Sequence, residues 1–407
     1  MDKPAILGGQ PVTKKKIPFT KISISEDERM VVEEILRSKV FVNGPYTKLL
    51  EKEFANYIGA KYAIAVSNGT DALMLSYLAL GINMHDKVVT TPLTFISTAS
   101  TILHVGAIPL FADVKEDGNL DPNAVSNIKE SFSAITIVHL FGYPADMNEF
   151  ISIAKERDCF IIEDAAHAHG AEYRGIKVGN LGDIATFSFY PSKIIAAGGW
   201  GGIITTNNRE FAEKIRLLRA HGELKIIDGK SRYQYIMLGY NFRISEIEAA
   251  IAYHQLKKLD KFVKLRRIAA KILTEMLSGL PGISLPTEEK HKKHAFYIYC
   301  IKIQPHVIGW TRDSFVEALN AEGIEARKGY HIPLHKAKLF ININSPTVNY
   351  FSKIIKYPDY SQLKLKMAEK LTNTMVWLPI FPEISQTEIE AIAKAIKKLV
   401  AWKNRKL

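Results

Sequence analysis

The stretch DIATFSFYPSKIIAAGGWGGIITT (residues 183–206) places a lysine and a run of glycines between two apolar strand patterns. Lys193 closely follows the first strand pattern, whereas lysine side chains normally lie on the solvated surface unless they have a partner. A lysine amine held in a buried site can act as a nucleophile toward an aldehyde. Taken alone, however, the stretch favours the simpler interpretation of a loop lysine that reaches solvent.

Short apolar runs alternate with helical patterns around this stretch, from about residue 60 to 206. Such alternation is typical of β-α units that build a largely parallel sheet covered by helices. An earlier helix is predicted to begin at Ser25, because Ser25 and Glu28 have the spacing of a capping box. We predict a seven-stranded α/β lobe with strands at 62–66, 87–91, 108–113, 134–140, 159–164, 183–189 and 201–206, and with helices that include 69–80, 94–105, 146–157 and 208–221.

The pattern changes after a long predicted helix at about 245–280. AFYIYCIKI (295–303) alternates like a strand, and helical patterns follow at 311–322 and from about 386. We interpret this part as a smaller α+β domain. The predicted division is an N-terminal arm at 1–25, a large domain at 26–265 and a small C-terminal domain at 266–407.

The composition is that of a soluble globular chain, with 47% hydrophobic and 24% charged residues. No apolar run reaches the roughly 18–20 residues that cross a bilayer, and the N-terminus lacks a signal-peptide pattern, so we expect a cytoplasmic protein with no membrane partner. Two cysteines predict neither a disulfide framework nor a zinc site, and we expect no metal. The net charge of +12 is compatible with nucleic acid or with phosphorylated ligands; because the basic residues are spread along helical patterns, we expect no nucleic-acid partner.

A second informative stretch is AVSNGTDALMLSYLALG (65–81), in which a helix pattern follows a strand pattern at once. The free N–H groups at such a helix start can bind a phosphate group, and Gly69 allows the backbone to approach it closely. Taken alone, the stretch is better explained as an ordinary turn with a Thr or Asp helix cap.

A third stretch, CFIIEDAAHAHGAEYRG (159–175), places Glu163 and Asp164 at the carboxyl end of an apolar strand, where open α/β sheets bind ligands. An anion there suits pyridoxal 5′-phosphate (PLP), whose protonated pyridine ring stabilises a carbanion during catalysis. Other interpretations are equally compatible with these residues. Asp164 could be a metal ligand or a helix cap, and His167 and His169 could be polar residues with ordinary partners.

The order of the motifs resembles that of a known family. NGTDAL, TFISTA, VHLFGYPADM, IEDAAHAHGA, FSFYPSK and GYNFRISEIEAA follow one another within residues 26–260, and YHIPLH (330–335) and LPIFP (378–382) continue the likeness. In these motifs the chain resembles the DegT/DnrJ/EryC1/StrS family of sugar aminotransferases. The resemblance implies a fold-type-I PLP enzyme of the aspartate-aminotransferase architecture that works as a homodimer, with both active sites at the subunit interface.

The resemblance also implies roles for single residues. Lys193 matches the lysine that holds PLP as a Schiff base and that later moves a proton between substrate and cofactor. Asp164 matches the partner of the pyridine nitrogen. The remaining matches are His167 near the phenolic oxygen of the cofactor, Phe95 stacked on its ring, Gly69, Thr70, Asp71 and Ser188 at its phosphate, and Asn241 reaching that phosphate from the neighbouring subunit.

The chain departs from the family pattern directly after the lysine. Gly199-Trp200-Gly201-Gly202 stands where many relatives have an acidic residue in a Gly-Glu-Gly-Gly pattern, so the resemblance implies neither the shape of this loop nor the substrate or dimer contacts made there. Lys193 itself argues against the dehydratase branch, in which a histidine replaces the lysine. PAILGGQPV (4–12) resembles the N-terminus of relatives that aminate cyclitol ketones or make aminobenzoate precursors.

These observations predict a PLP-dependent aminotransferase that moves an amino group from an amino acid, L-glutamate or L-glutamine, to a keto sugar, namely a nucleotide-linked ketohexose. Tyr330 and His335 are candidates for sugar contacts, although packing between the two domains explains them slightly better. The alternatives are a cyclitol-ketone aminotransferase, a PLP-dependent sugar dehydratase, and a non-catalytic regulatory or nucleic-acid-binding protein.

Overall fold

A computed structural model describes residues 2–226 and 232–403. Within them, seven strands form one sheet in the order β1-β9-β8-β5-β4-β2-β3. The adjacent strands β3, β2, β4, β5 and β8 pair in parallel, and β9 is antiparallel to both of its neighbours, β8 and β1. The strands are β1 (Tyr62–Val66), β2 (Lys87–Thr90), β3 (Ile108–Phe111), β4 (Ala134–Val138), β5 (Phe160–Asp164), β6 (Glu172–Tyr173), β7 (Ile176–Lys177), β8 (Ile184–Ser188), β9 (Gly202–Thr206), β10 (Glu223–Ile226), β11 (Arg232–Tyr235), β12 (Ile283–Ser284), β13 (Lys292–Lys293), β14 (Tyr299–Ile303) and β15 (Met375–Leu378).

Helices cover both faces of this sheet. The α-helices are α1 (Glu26–Ser38), α2 (Pro45–Ile58), α3 (Gly69–Ala79), α4 (Ser97–His104), α5 (Pro122–Ser126), α6 (Met147–Arg157), α7 (Arg209–Arg219), α8 (Glu246–Leu277), α9 (Pro305–Ile308), α10 (Arg312–Ala321), α11 (Lys338–Ile341), α12 (Lys366–Thr372) and α13 (Gln386–Lys403). Short 3-10 turns lie at Ala5–Leu7, Leu140–Gly142, Leu334–Lys336, Tyr350–Lys353 and Tyr360–Gln362.

Alternate residues of each central strand point to opposite faces, as expected for extended backbone. In β1, Ala65 packs with Phe54 of α2 on one face, whereas Ile64 and Val66 pack with Leu73 of α3 on the other. Even β1, at one edge of the sheet, is therefore buried on both faces, and the central parallel strands β4 and β5 are buried along almost their whole length, as is usual for parallel sheets. The predicted α/β class and the seven-stranded, mostly parallel sheet are confirmed.

Several predicted boundaries move by a few residues. Asn68, and not Thr or Asp, is the N-cap of α3, since its side chain accepts the N–H of Asp71. The predicted helix at 94–105 begins only at Ser97, so that Phe95 lies in the preceding turn. At α1 the predicted capping box of Ser25 and Glu28 is present.

The C-terminal part packs around a core of its own, in which β12, β14 and β15 form a sheet that α10 and α13 cover. The predicted strand at 295–303 is realised only from Tyr299, because Phe296 has a left-handed backbone with φ 49° that interrupts the extended chain. The predicted domain boundary at 265/266 falls within α8 and remains a prediction. Among the described residues, none of the helices combines the length and apolar character that crossing a membrane requires.

Candidate active site

A cavity of about 850 Å³ opens at the carboxyl ends of β1, β4, β5 and β8. This edge is where open α/β sheets bind ligands, because the following loops and helix starts converge there. Nine residues singled out from the sequence line it, namely Gly69, Thr70, Asp71, Phe95, Asp164, His167, Ser188, Lys193 and Tyr330. Residues from distant parts of the chain thus meet around one space.

Lys193 lies on the turn between β8 and β9. Its N–H donates to the carbonyl oxygen of Tyr190 at 2.8 Å, which closes the turn, and the next residues, Ile194 and Ile195, are buried in the core below. A Cβ atom at Gly201 would lie 3.0 Å from the Cβ of Ala197, which is tighter than ordinary van der Waals contact, so a glycine fits closely where the chain returns. The turn therefore presents the lysine side chain at the cavity wall.

Asp164 ends β5 and is buried. Thr98 Oγ1 donates to its Oδ2 at 2.7 Å and the N–H of Ala166 to its Oδ1 at 3.2 Å. Burial raises the pKa of Asp164, and these hydrogen bonds and the charge of Lys193 offset the rise only in part. A cation in the cavity would favour the ionised carboxylate, which fits the protonated pyridine nitrogen of PLP.

The start of α3 forms one corner of the cavity. A Cβ atom at Gly69 would lie only 2.9 Å from the Cβ of Ser188, so glycine is required for the backbone to pass this close. Thr70 Oγ1 is hydrogen-bonded to Ser97 Oγ at 2.8 Å. The side chain of Asp71 accepts from Ser67 and Asn68 and so organises the helix start. First-turn N–H groups beside two hydroxyl groups suit a phosphate.

His167 is buried in the wall of the cavity. Its Nδ1 accepts the N–H of Phe141 at 3.4 Å, which leaves Nε2 as the donor. Burial, together with the charges of Lys193 and His169, lowers the pKa of His167 well below its ordinary value. A neutral imidazole that donates through Nε2 suits a phenolic oxygen. Phe95, which is 60% exposed, presents its ring to the same space.

Two of the predicted residues do not line this cavity. His335 lies in the 3-10 turn Leu334–Lys336, buried near Phe111, with its Nε2 3.5 Å from Glu369. The turn directs this side chain into the core, so the structure does not bring His335 to the site. Asn241 is exposed and hydrogen-bonded to Arg243, outside the cavity of its own chain.

Sequence reasoning missed several residues of the cavity wall. Tyr297 and Trp377 come from the C-terminal part, and Tyr190 and Glu248 come from stretches whose neighbours were singled out. Trp200, which stands at the departure from the family pattern, lines the cavity, and its backbone N–H donates to Glu248 at 2.9 Å. Tyr190 could have been found from the sequence, because it lies three residues before Lys193. Tyr297 could not, because it belongs to a run that was predicted to be a strand. Within the described ranges, no cluster of His, Cys, Asp or Glu is arranged to hold a metal ion.

Comparison with known proteins identifies the family of this chain. The sequence profile of the DegT/DnrJ/EryC1/StrS aminotransferase family matches residues 22–397. The chain is 38% identical to a GDP-perosamine synthase of Caulobacter vibrioides, with 88% of this chain and 91% of that protein covered. It is 35% identical to a UDP-N-acetyl-3-dehydro-alpha-D-glucosamine 3-aminotransferase of Acidithiobacillus ferrooxidans, with 90% and 91% covered.

The fold also matches that of solved aminotransferase structures. NtdA of Bacillus subtilis, solved with its cofactor PMP bound, superposes with a TM-score of 0.82 at 27% identity, with 96% of this chain and 86% of that chain covered. PMP is the aminated form of PLP that a transaminase produces in its first half-reaction. From the match along nearly the whole chain we conclude that this protein belongs to the DegT/DnrJ/EryC1/StrS aminotransferase family and is a PLP-dependent aminotransferase.

Proposed function

We propose that this enzyme moves an amino group from L-glutamate or L-glutamine to the keto group of a nucleotide-linked ketohexose. The observation that carries the proposal is that Lys193 and Asp164 share one cavity with the start of α3, where Gly69 and Thr70 lie. The two relatives named above act on UDP-linked and GDP-linked sugars by their names, which supports a nucleotide-linked acceptor.

Different residues of the cavity would bind different parts of the cofactor. When bound, PLP supplies an electron sink that allows the bond between Cα and hydrogen of the amino acid to break. Lys193 would attach the cofactor through its aldehyde carbon and, once displaced by the donor amine, would carry the proton. Asp164 would pair with the ring nitrogen, and the start of α3 with Thr70 and Ser188 would hold the phosphate.

Aromatic side chains form the remaining wall, where the sugar would bind. Tyr190 and Trp200 lie with ring centroids 5.4 Å apart, and both are partly exposed. Tyr330 lines the same cavity, with its ring centroid 5.1 Å from that of Trp377. Such surfaces suit the apolar faces of a sugar ring, and we assign Tyr330 to the acceptor end of the site.

We further propose that the active unit is a homodimer in which Asn241 enters the site of the partner subunit. Phe41 accepts a hydrogen bond from the N–H of Glu246, so the segment at 40–42 lies beside the start of α8, a few residues after Asn241. Large apolar side chains are exposed at this segment, at the end of β11 and directly after it; they are Val40, Phe41, Val42, Tyr235, Ile236 and Leu238. Exposed apolar groups of this kind are typical of protein interfaces.

The experiment that tests the cofactor site is absorption spectroscopy of the protein purified with added PLP. We expect wild type to show a visible band that borohydride bleaches, and Lys193→Ala to lack it. A wild type without the band contradicts the proposal and favours a non-catalytic regulatory or nucleic-acid-binding protein.

The acceptor is tested by transfer of the labelled amino group of L-glutamate or L-glutamine to a panel of UDP-, GDP- and dTDP-linked ketohexoses and cyclitol ketones. We expect a labelled amino sugar that is still attached to its nucleotide. Transfer to cyclitol ketones alone contradicts the acceptor proposed here, and an unlabelled deoxy product identifies a dehydratase.

A further inference from the structure

Tyr297 contacts the lysine of the active site from the C-terminal side of the cavity. The Nζ atom of Lys193 lies over its ring, 4.8 Å from the centroid. The hydroxyl group of Tyr297 is hydrogen-bonded to Ser192 Oγ at 3.1 Å, on the residue next to the lysine. A further neighbour is His167, whose ring centroid lies 4.4 Å from that of Tyr297. The tyrosine thus adjoins two residues that we assign to the cofactor.

A strained turn aims Tyr297 into the cavity. Phe296 adopts a left-handed backbone with φ 49°, which is unfavourable for a residue with a bulky side chain. His294 stabilises this turn, since its Nδ1 accepts the N–H of Phe296 at 2.9 Å and its ring stacks on that of Phe296 with centroids 3.8 Å apart. The N–H of Tyr297 donates to the carbonyl oxygen of Phe141 at 2.9 Å. Strain of this kind persists where the surroundings enforce it, and it concentrates at functional sites.

A buried arginine of α8 stabilises the same turn through hydrogen bonds to its backbone. Arg266 is buried, and its Nη1 donates to the carbonyl oxygens of Phe296, Tyr297 and Ile380 at 3.2, 3.3 and 2.8 Å. Burial lowers the pKa of Arg266 to about 10. A guanidinium group is costly to bury, and two of its three hydrogen bonds here go to the backbone of this turn. Arg266 is therefore a positioning residue for Tyr297.

We propose that Tyr297 is a cofactor-site residue whose ring face stabilises positive charge on the Lys193 nitrogen, so that this nitrogen stays protonated to higher pH while it is bonded to the cofactor. The face of an aromatic ring is negative and attracts a cation within about 6 Å. A protonated nitrogen makes the adjoining carbon a better target for the donor amine, so the contact would favour the first exchange of the reaction. The inference rests on the proposed role of Lys193.

The neighbouring titratable groups come from three parts of the fold, and the two histidines and the tyrosine among them stay neutral near neutral pH. Asp164 faces the lysine from β5. His167 and His169 face it from the following turn, and both stay neutral because burial, with the charge of Lys193, lowers their pKa values, that of His169 to about 3. From the C-terminal part, Tyr330 stays neutral because burial raises its pKa. A titration of the visible band therefore reports mainly on the nitrogen.

The experiment is a pH titration of the visible band in protein loaded with PLP. In Tyr297→Leu, which lacks the ring, we expect the midpoint to fall by about 0.5–1 pH unit relative to wild type. Tyr297→Met removes the ring while retaining much of the volume, and the same fall is expected. Tyr297→Phe keeps the ring, so its midpoint should stay near that of wild type.

Tyr190→Leu is the matched control, because Tyr190 lines the same cavity and is 44% exposed, and the hydrogen bond that it accepts from Lys193 uses its backbone carbonyl oxygen. We expect its midpoint to match wild type. An unshifted midpoint in Tyr297→Leu and Tyr297→Met, or an equal shift in Tyr297→Phe, overturns the inference while the proposed function stands. A wild type without any band rejects the proposed function and this inference together.

Discussion

At the scale of single residues, the central feature is a buried carboxylate that receives hydrogen bonds from neutral donors. Asp164 is held by Thr98 and by the N–H of Ala166, and burial raises its pKa. This environment holds the side chain in place and leaves its charge to be balanced by a cation. The protonated ring of PLP would supply that cation, and the anion would in turn keep the ring protonated.

Asp164→Asn tests this pairing because it keeps the shape and removes the charge. We expect the visible band to persist, since Lys193 is unchanged. The first half-reaction with L-glutamate, measured in single turnovers, should slow by about 100-fold or more. A 100-fold fall corresponds to an activation free energy that is higher by about 2.7 kcal/mol. Thr98→Val is the control that removes one hydrogen bond and leaves the carboxylate, and its rate should fall by less than about 10-fold. Equal rates in Asp164→Asn and wild type would contradict the assigned role.

At the scale of elements, α8 connects the N-terminal helices to the site. Its first residue, Glu246, is buried and accepts hydrogen bonds from the start of α2: the N–H groups of Gly44 at 2.9 Å, Tyr46 and Thr47 at 3.2 Å, and the Thr47 hydroxyl at 2.7 Å. A carboxylate at a helix start is favourable because it satisfies free N–H groups and meets the positive end of the helix dipole.

Glu246→Ala should therefore destabilise the fold, because several buried donors of α2 lose their acceptor. We expect the free energy of unfolding to fall by about 2–4 kcal/mol, measured by urea denaturation. Glu210→Ala is the control, since Glu210 lies in the first turn of α7 but is exposed, and it should cost less than about 1 kcal/mol. Similar losses for the two variants would contradict the capping role of Glu246.

The contact between α1 and α8 should make the free energy of unfolding depend on pH in the acidic range. Burial opposes ionisation of Glu28, but hydrogen bonds from Lys258, Ser25 and Gln255 together lower its pKa to about 2, below the ordinary value of 4.5. A carboxylate with a lowered pKa stabilises the fold above its unfolded-state pKa, and this contribution disappears as pH falls through the folded value. The relevant window is therefore about pH 4.5 down to 2.

Glu28→Gln should remove this contribution. At pH 7 we expect the variant to be less stable than wild type by about 2–3 kcal/mol in urea denaturation, and the difference should shrink as pH falls from 4.5 toward 2. Glu26→Gln is the control, because Glu26 is exposed on the same helix turn. A difference between wild type and Glu28→Gln that stays constant over this window would contradict the assignment.

At the scale of the whole molecule, the proposed homodimer predicts that each active site needs residues from both subunits. If Asn241 acts in the partner's site, Lys193→Ala and Asn241→Asp should each be inactive alone. A mixed dimer, purified through two different tags, should recover about half of wild-type activity because one of its two sites is intact. An inactive mixed dimer would show that Asn241 does not act across the interface.

The alternation of apolar runs and helical patterns along residues 60–206 was sufficient to predict the sheet, since burial on two faces imposes that pattern locally. The order of short motifs was sufficient to predict the family and the cofactor. Local patterns also predicted which helix starts and strand ends carry Gly69, Asp164 and Lys193, because the carboxyl ends of parallel strands meet at one edge.

The rest was decided by tertiary structure. Tyr297 reaches the lysine because of a left-handed turn at Phe296 that Arg266 and His294 stabilise, and both Lys193 and Arg266 lie far from this turn in the chain. His335 belongs to a motif of the family likeness, yet its turn directs it into the core beside Phe111. By itself the sequence determined the fold class and the family, and it singled out Lys193 as the predicted lysine of the cofactor. Only packing between the two parts of the chain decided which side chains surround that lysine, because their directions depend on backbone turns and distant partners that local patterns do not record.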